Sequence, residues 1–260
     1  ASLRGSARVP APRPPVRHGV AVSLYRDQGV VLRTFRLGES DRIVVIMTQG
    51  SGKVRAVVKG VRKTKSRFGS RLEPMSHVAL LMYQGRGELD VVNQAETLDH
   101  FRPVREDLDR LAKATSMLEV VDQVSQEREP NPALYRMLVG GLRALAAHDS
   151  ALIVPAFFWK LLALEGLSPV LDRCATCGAE DDLVAFDVDE GGVLCRSCRR
   201  GVPVSMEAIE LVRRILGGDL ARVLGEPSGP AVHEVDHLTG RTVEHHLERR
   251  LRSLRLLDKA

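Results

Sequence analysis

The chain has 260 residues and 28.6 kDa, is 44% hydrophobic and 27% charged, and so is neither fibrous nor intrinsically disordered; it is long enough for one large or two small domains with real cores. Its longest apolar run, Ala151–Trp159, is nine residues with Pro155 inside it, against the roughly 20 a membrane helix needs, so no membrane partner is expected, and four cysteines are too few for a disulfide framework. The net charge of +5 hides an asymmetry: residues 1–71 carry 16 Lys/Arg against Asp27, Glu39 and Asp41 (+13), and residues 72–260 carry 22 against 30 acids (−8), which suggests a polyanion-binding module joined to a structural or partner-binding body.

Residues 1–22 hold four arginines, four prolines and no acids. They lack the continuous apolar stretch of a secretory signal and read as a disordered extension, with an organelle transit segment or translated sequence upstream of the usual start as the other readings. From Leu24 the pattern becomes that of strands. Gly29–Leu32, Arg42–Thr48, Gly52–Lys59, His77–Tyr83 and Glu88–Glu96 are short and aliphatic, with turns at Gly38–Asp41, Gln49–Gly52 and Gln84–Gly87. Five such strands fit a small barrel of the OB type, whose face and loops often bind oligonucleotides.

The third strand and the loop after it carry an acid-free basic run: Lys53, Arg55, Lys59, Arg62, Lys63, Lys65, Arg67 and Arg71. On a nucleic acid it would release condensed counterions and give salt-dependent, sequence-tolerant binding; the plainer reading is a solvated loop, weakened because nothing nearby in sequence compensates the repulsion. Phe68 inside this run either stacks on a base or, more ordinarily, packs against the barrel.

After Pro103 the period is helical. Leu108, Leu111, Met117 or Leu118, Val121 and Val124 recur at three or four residues through Gln126, Glu129–Pro132 breaks the pattern, and helices come next over Ala133–Ala147 and Ser150–Glu165, the latter with Pro155 in its first turns. Cys174-Ala-Thr-Cys177, seventeen residues and Cys195-Arg-Ser-Cys198 make two C-x-x-C knuckles at the spacing of a four-cysteine zinc site, with two disulfides or a redox pair as competitors. Four protein ligands would leave no open position, so one Zn2+ there is structural. Gly178 offers a tight turn, and Arg199 and Arg200 offer cations that would help keep the thiolates ionised. Ser205 reads as an N-cap, and a last helix around Thr242–Leu254 would bury Val243, Leu247, Leu251 and Leu254.

His233-Glu234-Val235-Asp236-His237 matches H-E-x-x-H, which makes a protease zinc site only on a helix. Pro227, Gly229, Pro230 and Gly240 leave little room for one, so the segment is expected to be a solvated turn. Nucleotide-binding glycine loops and a G-x-S-x-G elbow do not occur, and no enzyme activity is expected.

Leu24-Tyr-Arg-Asp-Gln-Gly-Val-Val-Leu-Arg33, Leu37-Gly-Glu-Ser-Asp-Arg-Ile-Val44, Val58–Lys63, Ser66–Pro74 and Leu247–Leu257 resemble, in order, segments of the bacterial DNA repair RecO family, and the cysteine quartet stands where many members carry zinc. The resemblance covers about residues 23–258 and leaves 1–22 without a counterpart. It implies an α+β multidomain chain: an N-terminal OB-fold β-barrel (23–102), an α-helical domain (103–173), an inserted four-cysteine zinc-binding element (174–200) and the C-terminal part of the helical domain (201–260). It also implies binding of single- and double-stranded DNA, annealing of complementary strands, and, with RecR and in some routes RecF, loading of RecA onto DNA coated by single-stranded DNA-binding protein, in the cytoplasm at the nucleoid. The basic run would carry the backbone contacts, assisted by Arg33, Arg36 and Arg42. Arg136, Arg143 and Lys160 are candidates to receive the acidic tail of single-stranded DNA-binding protein. A zinc-ribbon RNA-binding or transcription factor, a zinc protease and a pure adaptor are the competing classes.

Overall fold

The computed structural model describes residues 23–62, 66, 68–85 and 87–247; the expectations for residues 1–22, for Lys63, Lys65 and Arg67, and for Leu251 and Leu254 lie outside them. Strands β1 (Leu24–Leu37), β2 (Asp41–Thr48), β3 (Gly52–Val58), β4 (His77–Tyr83) and β5 (Asp90–Asp99) close a barrel in the order β1-β2-β3-β5-β4. All neighbours are antiparallel except β3 and β5, and β4 pairs back onto β1. This is the expected OB-type barrel, with a first strand of 14 residues.

Alternation sets the barrel interior. Val31, Val44, Ile46, Ala56, Val58, Val78, Leu80 and Met82 point inward, joined by Phe68 and Leu72 from the β3–β4 loop. The other face of β1 and β2 is also apolar: Val30, Leu32, Val45 and Met47 join the core of the helical body. Residues Val44–Thr48 are therefore buried without a break, the pattern of a strand covered on both sides. A bulge at Leu32 falls between Val31, opposite Ile46, and Arg33, opposite Val45. The extra residue reverses the parity of the rest of the strand, so Arg33, Phe35 and Leu37 take the outward face instead of the interior.

The body begins with α1 (Arg102–Arg105), α2 (Leu108–Val124), α3 (Pro132–Ala147) and α4 (Ile153–Leu164). Asp107 caps α2 by accepting from the Arg110 N–H, and Asn131, in the expected break, caps α3 by accepting from the Leu134 N–H. Helix α4 is apolar nearly all round, with Phe157, Phe158 and Trp159 buried, as a central helix must be. The cysteine element is a small sheet, β6 (Leu183–Asp187), β7 (Gly192–Cys195) and β8 (Val202–Pro203). Phe186 meets Trp159 edge-on at 5.9 Å, so the element shares the body's core. Helices α5 (Met206–Leu216), capped by Ser205 as expected, α6 (Leu220–Val223) and α7 (Pro230–His246) complete it.

Helix α7 corrects one expectation. The H-E-x-x-H segment is helical, not a turn, and the last helix starts twelve residues before Thr242. Pro230 occupies the first turn of α7, where its missing N–H would have had no partner anyway, and Gly240 costs only about 1 kcal/mol mid-helix.

Barrel and body are tied by polar contacts between residues far apart in sequence. Lys53 on β3 donates to the Asp122 carbonyl of α2 at 2.6 Å and lies 3.4 Å from its carboxylate; Arg33 on β1 reaches the same carboxylate at 2.7 Å. The α2–α3 linker lies along β3, with the Arg128 N–H donating to the Lys53 carbonyl at 2.9 Å. The Arg128 side chain meets the fully buried Asp90 at 2.9 Å, and Asp90 also accepts from the Tyr25 hydroxyl at 2.5 Å. Burial works to raise the Asp90 carboxyl pKa, but the Arg128, Tyr25 and Gly85 hydrogen bonds outweigh it and hold the group below the usual carboxylate range.

Two substitutions probe this joint. Gly52 has φ +71°, and a Cβ there would lie 2.1 Å from the Glu129 carbonyl oxygen. Gly52→Ala should lower the stability by at least about 2 kcal/mol through backbone strain and displacement of the linker, read as the urea midpoint. His77, buried at the start of β4, shares a 2.7 Å hydrogen bond with Tyr135 of α3 and has no partner for Nδ1 among the described residues. Burial first and the Arg143 charge second lower its pKa, against a smaller opposing effect of Asp99, from the ordinary 6.5. The unfolded chain therefore binds the proton more readily, so this contribution is present above pH 6.5 and is lost as the pH falls below it. The urea midpoint should drop between pH 7 and pH 5, and His77→Gln should flatten that slope.

Candidate nucleic-acid interface and candidate metal centre

The structure divides the basic run. On the outward face of β3, Lys53 has only 12% of its side chain exposed and is committed to Asp122. Arg55 lies 3.5 Å from Glu88 and 3.8 Å from Glu127. Arg33 is held by Asp122 and Arg42 by Glu73 at 2.6 Å. The compensation missing near these cations in the sequence is supplied by acids brought in from elsewhere in the chain.

Of the remaining described cations, Arg36, Lys59 and Arg62 sit where the β1–β2 turn meets the start of the β3–β4 loop. The Arg62 N–H donates to the Ser40 carbonyl, and its guanidinium donates to the Glu39 carbonyl, both at 3.0 Å. The Gly60 N–H donates to the Asp41 carboxylate at 2.7 Å. These bonds fold the loop onto the turn and keep Arg62 at the surface without neutralising it. Arg36 and Lys59 are exposed and form no ion pair among the described residues. Arg71 is exposed and donates to the Phe68 carbonyl at 3.3 Å. The base-stacking reading of Phe68 is overturned: the ring is 1% exposed inside the barrel, a burial worth about 1.5–3 kcal/mol.

The four cysteines converge. Their sulfur atoms all lie within 4.8 Å of one another, and Cys177 Sγ is 3.7 Å from Cys195 Sγ. A tetrahedron with bonds of about 2.3 Å has edges of about 3.8 Å, whereas a disulfide would need about 2.05 Å, and all four cysteines are free. The first knuckle is closed by the Gly178 N–H on the Cys174 carbonyl at 2.9 Å, with Gly178 at φ +77°. The second is the end of β7 followed by a 3-10 turn, Arg196–Cys198.

Burial raises the Cys174 thiol pKa, but the backbone N–H groups of Cys195, Cys177 and Thr176 outweigh it and hold it down at about 6. Cys198 is pushed up to about 12, first by its hydrogen bond with Cys177 and then by burial and the other two sulfurs. Four thiolates this close repel one another unless a cation sits among them, so the donor set suits a metal ion. The cationic help expected from Arg200 goes elsewhere, to Asp187 at 3.4 Å and to Glu190.

His233 and His237 share a helix, but Glu234 accepts the Ser205 N–H at 2.7 Å and so caps the approach to α5. This gives Glu234 a structural role in the fold. Arg136 and Arg143 are exposed on α3, and Lys160 is half-buried on α4. Sequence reasoning missed Asp122 and Glu127, which neutralise Arg33, Lys53 and Arg55, and the Arg128–Asp90 pair, which ties the linker to the barrel; none of these residues carries a local signal of such a role.

Compared with known proteins, the chain matches the family models "Recombination protein O N terminal" over residues 22–101 and "Recombination protein O C terminal" over residues 105–255. It is 42% identical over 247 residues to the "DNA repair protein RecO" of Nocardioides sp., covering 91% of this chain and 100% of that protein. It is 42% identical over 243 residues to that of Frankia casuarinae (91% and 99%) and 41% identical over 245 residues to that of Thermobifida fusca (92% and 100%).

Proposed function

The chain belongs to the recombination protein O family, whose curated members are named as DNA repair proteins, and from that premise we propose that it is a non-enzymatic mediator of DNA repair and recombination that binds single- and double-stranded DNA and anneals complementary strands. The observation that carries this is that Arg36, Lys59 and Arg62, at the end of the OB barrel where the β1–β2 turn meets the β3–β4 loop, are exposed and form no ion pair among the described residues. Two DNA strands repel each other; a cationic surface that neutralises both lowers the cost of their approach, and no bond has to be made or broken. In this reading Lys63, Lys65, Arg67 and Arg71 extend the same surface, while Arg33, Arg42, Lys53 and Arg55 keep their protein partners and shape its edge.

Loading of RecA onto DNA coated by single-stranded DNA-binding protein, with RecR and in some routes RecF as partners, is supported by the family membership. Arg136, Arg143 and Lys160 remain the residues proposed to meet the acidic tail of single-stranded DNA-binding protein. The place of action proposed is the cytoplasm, at the nucleoid. The metal proposed for Cys174, Cys177, Cys195 and Cys198 is one Zn2+. It would cross-link β7 to the loop after Leu171 and, with every position filled by sulfur, would supply no chemistry to a substrate.

Anisotropy titrations of a labelled single-stranded oligonucleotide at several salt concentrations should give a steep log–log slope. Replacing Arg36, Lys59 and Arg62 together by Ala should weaken binding and reduce the magnitude of that slope by about 2, at roughly 0.7 per lost phosphate contact. An unchanged slope would remove this surface from the interface. Metal analysis should find one zinc per chain. Cys195→Ser should lose it together with much of the stability of the cysteine element, since metal-coupled folding of such sites is worth about 10–16 kcal/mol.

A further inference from the structure

The outward face of the barrel carries an apolar row that belongs to neither core. Phe35 on β1 is paired with Ile43 on β2, Ile43 with Val57 on β3, and Val57 with Val91 on β5. None of the four is among the residues of the barrel interior or of the body's core. Ile43, Val57 and Val91 are half-buried. Phe35 is 43% exposed, whereas the other five phenylalanines, Phe68, Phe101, Phe157, Phe158 and Phe186, are 4% exposed or less.

The exposed ring is held in place. The Arg33 guanidinium lies 4.9 Å from its centroid, and Asp122 fixes that guanidinium at 2.7 Å. One side of the ring therefore rests on an immobilised cation, which removes rotamer freedom before any ligand arrives. Lys59, just past the end of β3, is exposed, whereas Arg36, the residue after Phe35, falls on the opposite face of β1, so the apolar aromatic surface adjoins one cation, Lys59, that has no ion-pair partner among the described residues. Such a surface suits a strand that presents flat bases alongside phosphates, and the positive edge argues against an apolar protein segment as its occupant.

We propose that the outer face of β1-β2-β3-β5 is a stacking platform for unpaired bases, with Phe35 as its aromatic surface and Ile43, Val57 and Val91 as its floor. The platform rests on the nucleic-acid reading above and adds to it a preference for single strands, because a paired base keeps both of its faces inside the duplex. Stacking is indifferent to base identity, so the preference is for strandedness and not for sequence.

The test compares oligo(dT) with an abasic oligomer of equal length, which has the same phosphates and no bases. The native chain should bind oligo(dT) more tightly than the abasic oligomer. Phe35→Ala should erase that difference, weakening oligo(dT) binding about 5- to 100-fold, and leave duplex affinity and the salt slope unchanged. Phe35→Trp should keep the difference and show emission quenched by oligo(dT) but not by the abasic oligomer; the one native tryptophan, Trp159, is fully buried and gives a constant background. A retained preference for oligo(dT) in Phe35→Ala overturns the platform and leaves the cationic interface standing, as does an unquenched Phe35→Trp should Phe35→Ala fail to fold. A native chain that binds neither oligomer overturns both readings.

Discussion

A strand that is apolar on both faces cannot have either of them in water. Residues Val44–Thr48 of β2 are such a strand, and the rest of the molecule is arranged around them. One face closes the barrel with Val31, Val58 and Val78. The other lies against α2 and α3 together with Val30 and Leu32. The barrel is thus not a module on a tether: its most buried strand is shared with the helical body, and the polar contacts of Lys53, Arg33 and Arg128 fix the register of that shared surface.

This docking sorts the charges. A cation beside the joint is partly desolvated and needs a partner, because an uncompensated buried charge costs several kcal/mol. Lys53, the least exposed of them, has two contacts with Asp122. Farther from the joint Arg42 is still paired, with Glu73, whereas Arg36 and Lys59 stay exposed with no ion pair among the described residues. The described part of the basic run is therefore two populations: Lys53 and Arg55 hold the architecture, and Lys59 and Arg62 project at the end of the barrel where the β1–β2 turn and the β3–β4 loop are hydrogen-bonded together.

The cysteine element is held to the body by burial in the same way. Cys174 and Cys195 are buried and belong to the body's hydrophobic core, while Cys177 is exposed. A site half in the core and half at the surface anchors the edge of the element to α4 through Phe186 and Trp159. A metal there would stiffen a region whose sheet, with a two-residue third strand, is too small to be stable alone.

The barrel strands, helices α2 to α4, the cysteine quartet and the charge asymmetry were determined by the sequence alone, because each of these is written in local periodicity, spacing or composition. Ser205 was legible as a helix cap for the same reason. The sequence did not determine the face on which Phe35 emerges, because one bulged residue at Leu32 reverses the alternation, and a bulge depends on the partner strand. Nor did it determine which cations remain free, because Asp122 and Glu127 reach Lys53 and Arg55 only after the barrel has docked on α2. Helix α7 belongs to the same class: a helix opened by proline reads as a turn until the packing around it is present. For Phe68 the sequence left two readings open, and the barrel interior decided for the packed one. Local patterns fix what an element is; long-range contacts fix which of its side chains are committed to the fold and which are left to meet a ligand.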